Sequence, residues 1–407
     1  MAEKLLKMVL GDVEVTKDLN LLLVIGGLYA IAVALSNTFV NIYFWKQSGE
    51  ITTIAYYQLA SVISQPLAFL AGGYIAKKAD RIVALRIGVF VLTFFYIAVL
   101  LFGSAAHSYI IILGILLGLG FGFYWLGYNV LTFEITEPET RDFFNGFSGL
   151  LTSFAGMIGP LSAGLFITWF PETTGYQFIF FVSFALFMLA VFLTFKMKHR
   201  PARGPLNMAY SLSEIKFNVN WRNILFAHFS QGIREGIFVF IIVLWVYLST
   251  NSELALGTYG FITSAVSFAG YYVVSRFLKI TYRKKAILYG GVALTLAVFL
   301  IVFELKFKWL MLYGVIISIA YPLLLVPYIS MTFDVLGKAR RAASRRIEYL
   351  IIREWFLNAG RITSIVLLLL SLSIFEEKII IPVMMSVCGA GHLFISFFIR
   401  RISFEKE

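Results

Sequence analysis

The run Tyr128-Asn-Val-Leu-Thr-Phe-Glu134 returns 200 residues later as Tyr328-Ile-Ser-Met-Thr-Phe-Asp334, and Arg141 is matched by Arg341 at the same offset. Each run closes a long apolar stretch and opens onto a basic loop. Trp45 and Trp245 keep the offset as well. The chain therefore reads as a duplication, and what is duplicated follows from the apolar stretches on either side.

Working outward, apolar stretches fall at 20–45, 51–76, 84–103, 108–133, 144–170 and 175–196, and again at 223–249, 255–279, 286–305, 309–333, 347–373 and 379–399. Crossing about 30 Å of hydrocarbon takes about 20 mostly apolar residues, and each stretch is of that order. In lipid only helices and closed barrels satisfy every backbone N–H and C=O; a barrel would alternate apolar and polar residues over about ten-residue segments. The expected fold is all-α and polytopic, with twelve transmembrane helices in two pseudo-symmetric six-helix bundles. Residues 1–196 and 223–407 would be the bundles. Residues 197–222, with Pro201, Gly204, Pro205 and an amphipathic run from Leu212 to Val219, would be the loop between them. The first stretch is too long for the apolar core of a signal peptide and is expected to be retained.

The charges set an orientation. Of 34 Lys and Arg, 27 fall on the side that holds both termini, 4 on the other and 3 within the stretches. By the positive-inside rule both termini are expected in the cytoplasm, with the protein in the cell membrane. The net charge of +12 is thus a topology signal. Spread over seven short loops, it does not form a nucleic-acid patch. Cys388 is the only cysteine, so an internal disulfide or a cysteine metal site is excluded. No phosphate-binding glycine loop for ATP is present, no catalytic cluster forms from the 4 histidines, and no cofactor is expected. The expected partners are the lipid bilayer, a small-molecule or lipid substrate and protons, with the protein acting as a monomer.

Six plus six helices with a polar central loop and basic cytoplasmic loops resemble the major facilitator superfamily of secondary transporters, and the resemblance covers the whole chain. The fifth stretch carries Gly146, Ala155, Gly159, Pro160, Ala163 and Gly164. This is similar to the fifth-helix motif best known from exporters and proton antiporters in that family, with alanine for glycine at Ala155 and Ala163. Small residues at these spacings also serve ordinary close packing of membrane helices. After the second stretch, Gly73 to Arg81 resembles the family's loop signature, but Lys77 stands where the signature has an acid. Either Asp80 replaces that acid, pairing with Arg141 or with a facing helix end to brace the cytoplasmic gate, or it is a solvated loop charge. The fourth stretch lacks the antiporter arginine and has Gly118, Gly120, Gly122 and Gly127 instead. The resemblance implies alternating access around a central cavity, with substrate contacts from the first, fourth, seventh and tenth helices. Asn37, Asn41, Tyr124, Trp125, Tyr128, Asn129, Gln231, Arg234, Tyr321 and Tyr328 are the candidates there, with Asn358 of the eleventh stretch; Arg234 and Arg361 suit an anion, and Pro322 and Pro327 suggest a bend in the tenth helix.

Charges at membrane depth carry the chemistry. Arg234 and Glu235 lie about 12 residues, or about 18 Å, from the basic end of the seventh stretch, and Arg361 about 21 Å from that of the eleventh. A central Arg or Asp costs about 2.5–3.5 kcal/mol to insert, so such residues usually face a cavity or a partner. His228, Gln231 and Glu235 form one helical stripe, and Glu354, Asn358 and Arg361 another, with Arg353 alongside. A Glu235–Arg361 pair is geometrically possible, either as a proton-coupling element or as a helix lock. His392, in the twelfth stretch, reads as a packing residue. The expected function is proton-coupled export of a small amphipathic or organic-anion compound. Alternatives are a lipid or glycolipid flippase on the same fold, a solute symporter and a non-transporting membrane scaffold.

Overall fold

The computed structural model describes residues 17–135, 138–170, 173–198 and 204–403, except the side chains at 104, 133, 138–143, 145, 146 and 343. The expectations placed on Arg141 and Gly146 thus lie outside the described residues. Among the described residues every regular element is helical: α1 Lys17–Ser48, α2 Ile51–Lys78, α3 Arg81–Phe102, α4 Ile110–Ile135, α5 Pro138–Trp169 and α6 Thr174–Thr194. A short α7, Met208–Phe217, precedes α8 Val219–Thr250, α9 Glu253–Phe277, α10 Arg283–Ala297, α11 Phe307–Gly337, α12 Ala342–Leu372, α13 Glu377–Gly389 and α14 Gly391–Arg400. The seventh apolar stretch is therefore α8, and the twelfth is α13 and α14 in series.

Among the described residues ten helical segments are long and apolar enough to cross a membrane alone, with α13 and α14 counted as one. The eighth and ninth stretches pass only as a pair, bent by 117° at the break before Ile280. Their departure has two causes. α9 carries Thr258, Tyr259, Thr263, Ser264 and Ser267 in place of aliphatic residues, and α10 opens on Arg283, Lys284 and Lys285 and ends at Ala297, short of the expected 305. α8 begins at Val219, four residues before the expected edge, capped by the Asn218 side chain on the Trp221 amide. α11 stays helical from Phe307 to Gly337 through both Pro322 and Pro327.

The duplication is visible in the packing. α1 packs on α5 and α6, α2 and α3 on α4, and α3 on α6. In the second half α8 packs on α12 and α14, α9 and α10 on α11, and α10 on α14, which repeats the first set pair by pair. The halves meet through α2 against α12 and α5 against α9. Lipid offers no hydrophobic drive between helices, so contact depends on close backbone approach. At Gly118 of α4 an added Cβ would lie 2.1 Å from the Ser61 carbonyl oxygen of α2. The glycines standing where an antiporter arginine was sought are thus packing residues: Gly118 and Gly122 meet α2, Gly120 and Gly127 meet α3. In α5, Gly159 faces Ala34 of α1, while Pro160 and Gly164 face Gly257 and Glu253 of α9.

Candidate functional site

The polar residues at mid-depth gather where α8, α11, α12 and α2 meet. Arg361 Nη2 of α12 donates to Glu235 Oε2 of α8 at 2.6 Å, and each side chain is 22% exposed, so the pair borders a space between helices. Glu235 Oε1 also accepts from Gln231 Nε2 at 2.7 Å and from the Tyr321 hydroxyl of α11 at 3.4 Å. All three partners donate, which is the environment of an ionised carboxylate. His228 Nδ1 lies 3.0 Å from Gln231 Oε1, and its Nε2 lies 3.3 Å from the Thr332 hydroxyl, so the α8 stripe forms one hydrogen-bonded chain.

That chain reaches the other half. Arg361 Nη1 donates to Asn358 Oδ1 at 3.3 Å and to Gln65 Oε1 of α2 at 3.4 Å. Gln65 Nε2 in turn donates to Glu354 Oε1 at 3.3 Å, which also accepts from Asn358 Nδ2 at 3.2 Å. Arg353 Nη2 lies 3.6 Å from Glu354 Oε2. Gln65 is a site residue that sequence reasoning missed; its one signal is an amide standing beside Pro66 in an apolar stretch. The close approach of α8 and α12 fixes the geometry. A Cβ on Gly360 would lie 2.0 Å from the Phe229 carbonyl oxygen, and one on Gly232 would lie 2.0 Å from that of Leu357.

Other candidates sit elsewhere. Arg234, next to Glu235 in sequence, is turned by one helical step into the interior of the second half and meets His392 and Tyr313. Tyr328 is fully buried beside His228, with ring centroids 4.8 Å apart. In the first half the corresponding depth is aromatic. Tyr29 stacks on Tyr124 at 3.7 Å, Tyr124 on Tyr128 at 5.5 Å, and Trp125 stands edge-on to all three. Asn41 is occupied by Gln58 at 3.0 Å within that half, and Asn37 contributes only its backbone carbonyl, to Asn41 Nδ2 at 3.3 Å. Asn129 is half-buried and outside both groups. Among the described residues no three His, Cys, Asp or Glu side chains come together as a metal site.

Each end of the molecule has a clasp between the halves. At the end that carries most of the basic residues, Glu348 of α12 is fully buried and accepts from Lys77 Nζ at 2.5 Å, Arg345 Nη1 at 2.9 Å and the Asn207 amide at 3.1 Å. Lys77, standing where the loop signature has an acid, thus pairs with an acid on the facing helix. Asp80 is buried and caps α3 through the Ile82 amide at 3.0 Å, which removes the solvated-charge alternative. Arg81 pairs with Glu134 at 2.5 Å, Arg346 of α12 lies 3.9 Å from Glu134, and Arg283 pairs with Asp334 at 2.8 Å. Arg341 caps α12 in the left-handed conformation, with its guanidinium over the Tyr210 ring. At the opposite end Lys46 of α1 pairs with Glu253 of α9 at 2.5 Å, and the Tyr176 hydroxyl donates to Glu253 at 3.0 Å.

Residues 22–345 match the family model described as Major Facilitator Superfamily. The chain belongs to the major facilitator superfamily. A relative of this superfamily chain is the Bacillus subtilis (strain 168) protein YqgE, 53% identical over 402 residues that cover 99% of this chain and 94% of the relative. A Geobacillus stearothermophilus protein encoded in the sodM 3' region is 60% identical over 170 residues, covering 42% of this chain and 79% of the relative. Among solved superfamily structures, a bacterial homologue of the iron transporter ferroportin, in an outward-facing state, aligns with a TM-score of 0.68 at 16% identity, covering 94% and 98% of the two chains. The human organic anion transporter MFSD10 aligns with a TM-score of 0.68 at 13% identity, covering 93% and 98%. At these identities the likeness is one of fold. A superfamily member of this build is a multi-pass membrane protein of secondary transport.

Proposed function

We propose that the chain is a proton-coupled exporter of a small amphipathic or organic-anion compound. Residues 1–196 and 223–407 rock against each other, the 197–222 segment joins them, and the basic end faces the cytoplasm across the cell membrane. The observation that carries this reading is the Glu235–Arg361 pair with Gln65 of the other half on the same guanidinium. A proton taken up on Glu235 Oε2 removes the negative charge that holds Arg361. Arg361 then loses its strongest partner, and its hold on Gln65 and Asn358 is redistributed. Proton occupancy is thereby linked to a contact between the halves, which is what coupling requires. The outward direction rests on the fifth-helix motif around Gly159 and Pro160.

The test is transport by purified protein in proteoliposomes under an imposed pH gradient, with Glu235→Gln and Glu354→Gln beside the unaltered chain. Gradient-driven flux should fall by at least about 10-fold in Glu235→Gln, below the full effect of losing a general acid–base group. Undiminished gradient dependence in both variants overturns the reading.

One observation favours a lipid substrate instead. Phe226, Phe229, Trp355, Phe356 and Ala359 line an entirely apolar hollow of about 350 Å³ along α8 and α12, suited to an acyl chain. Accelerated translocation of labelled lipid in the same vesicles, with no solute flux, would select a flippase over an exporter.

A further inference from the structure

Arg361, at the depth of Arg234, lies on Glu235, and Arg353, about two turns along the same helix, lies on Glu354, whereas Arg234 has no carboxylate among the described residues. It is 6% exposed, with Phe238 covering its guanidinium face at 4.4 Å. Glu235, its sequence neighbour, is taken up by Arg361, Gln231 and Tyr321. The second half therefore holds one cation in excess of its acids at mid-membrane.

The neighbours of Arg234 accept from it but bring no negative charge, and the hydrogens left on them are donors. Its Nη1 is 3.3 Å from His392 Nδ1, and because a guanidinium only donates, His392 must accept there and carry its hydrogen on Nε2. That Nε2 is buried without a partner, and so is Arg234 Nε. The Tyr313 hydroxyl accepts from Arg234 Nη2 at 3.1 Å, which leaves its own hydrogen to give, and the Tyr259 ring lies against Gly314 next to it. Arg234 Nε–H and Tyr313 O–H are thus two buried donors beside an uncompensated positive charge, while His392 Nε2–H points away from it on the far side of the ring. Buried donors without acceptors are rare in folded proteins, and the uncompensated charge beside these favours a negatively charged acceptor.

We propose that Arg234, Tyr313 and His392 form a site for one small monovalent anion, either a halide ion or the carboxylate of an organic acid, inside the second half and separate from the Glu235–Arg361 pair. Arg234 supplies the charge through its Nε–H edge, Tyr313 supplies a hydroxyl hydrogen, and His392 holds the guanidinium in place. Occupation neutralises the excess charge and ties α8, α11 and α14 together. The site does not depend on proton coupling.

The experiment is thermal unfolding of the full-length protein in detergent, in a sodium sulfate background of constant ionic strength. Sodium bromide and sodium acetate are titrated separately and then against each other. A saturable rise of about 2–4 °C is expected with at least one of them, in line with linkage to a ligand that binds only the folded state. Arg234→Gln should abolish the response, and Tyr313→Phe should weaken the apparent affinity by about 10-fold, as loss of one charged hydrogen bond does. A response to bromide that acetate does not displace assigns a resident halide; displacement by acetate assigns a carboxylate. No saturable response to either anion, or the same midpoint in Tyr313→Phe and in a folded Arg234→Gln, overturns the site. Because no pH gradient is involved, that failure is distinct from failure of the exporter reading.

Discussion

The same two-helix unit occurs in both halves, α1 with α5 and α8 with α12, and the two are chemically opposite. From 19 to 45 and from 144 to 169 the first unit has no Asp, Glu, Lys or Arg. At the 200-residue offset, Leu35, Phe154, Ile158 and Leu161 stand where the second unit has Glu235, Glu354, Asn358 and Arg361. The helix crossing itself is kept: Gly159 presses on Ala34 as Gly360 presses on Gly232. The duplicated part is therefore a scaffold of close helix contacts, and the ionised chemistry belongs to one copy alone. The first unit is neutral at the positions where the second is charged.

The largest expected effect comes from breaking the shared scaffold on the charged side. Gly360→Val places a side chain where even a Cβ would lie 2.0 Å from backbone, and it should abolish monodisperse folded protein on size-exclusion chromatography. Importing charge into the neutral unit comes next. Leu35→Asp should cost about 3 kcal/mol, because no donors wait there as they do around Glu235, and chemical unfolding in detergent measures it. Removing half of the native pair follows. Arg361→Gln should cost about 2–3 kcal/mol, less than a fully buried pair because each partner keeps 22% exposure, and adding Glu235→Gln should recover more than half of the loss. Glu235→Leu combined with Arg361→Leu copies the first-half pattern of Leu35 and Leu161, and it should unfold at a higher denaturant concentration than Arg361→Gln alone.

The clasps give the smallest effects and extend the contrast to the ends. Lys77→Met removes one of three donors from the buried Glu348 and should cost about 2 kcal/mol, the range for a hydrogen bond to a charged group. Lys46→Met breaks a pair whose lysine is 42% exposed and should stay within about 1 kcal/mol. Thermal unfolding of the two variants side by side would read the difference.

Most of the architecture is legible in the sequence because a bilayer admits so few backbone solutions. Depth arithmetic alone brings Glu235 and Arg361 to one level. What stays hidden depends on rotation about helix axes. Arg234 and Glu235 read as one site, yet the step of one residue sends them to different neighbours. His392 reads as packing, although it accepts from Arg234. Tyr313 is one tyrosine among 21, with nothing in its surroundings to single it out. Glu348 is masked by the basic residues around it, Arg345 and Arg346, and only the fold brings Lys77 to it. The ninth stretch is shorter as a helix than expected, since α10 ends at Ala297, whereas the eighth keeps its length but is too rich in hydroxyl residues to pass as a span alone and packs on α5.

The amide of Asn207, on the segment between the halves, ends on the buried carboxylate of Glu348. Lys77 of α2 shares that carboxylate, so on the rocking proposed above the amide should be better shielded from deuterium while α2 and α12 are together than when they part. Its exchange rate would report how often the gate opens, with no need to know the cargo.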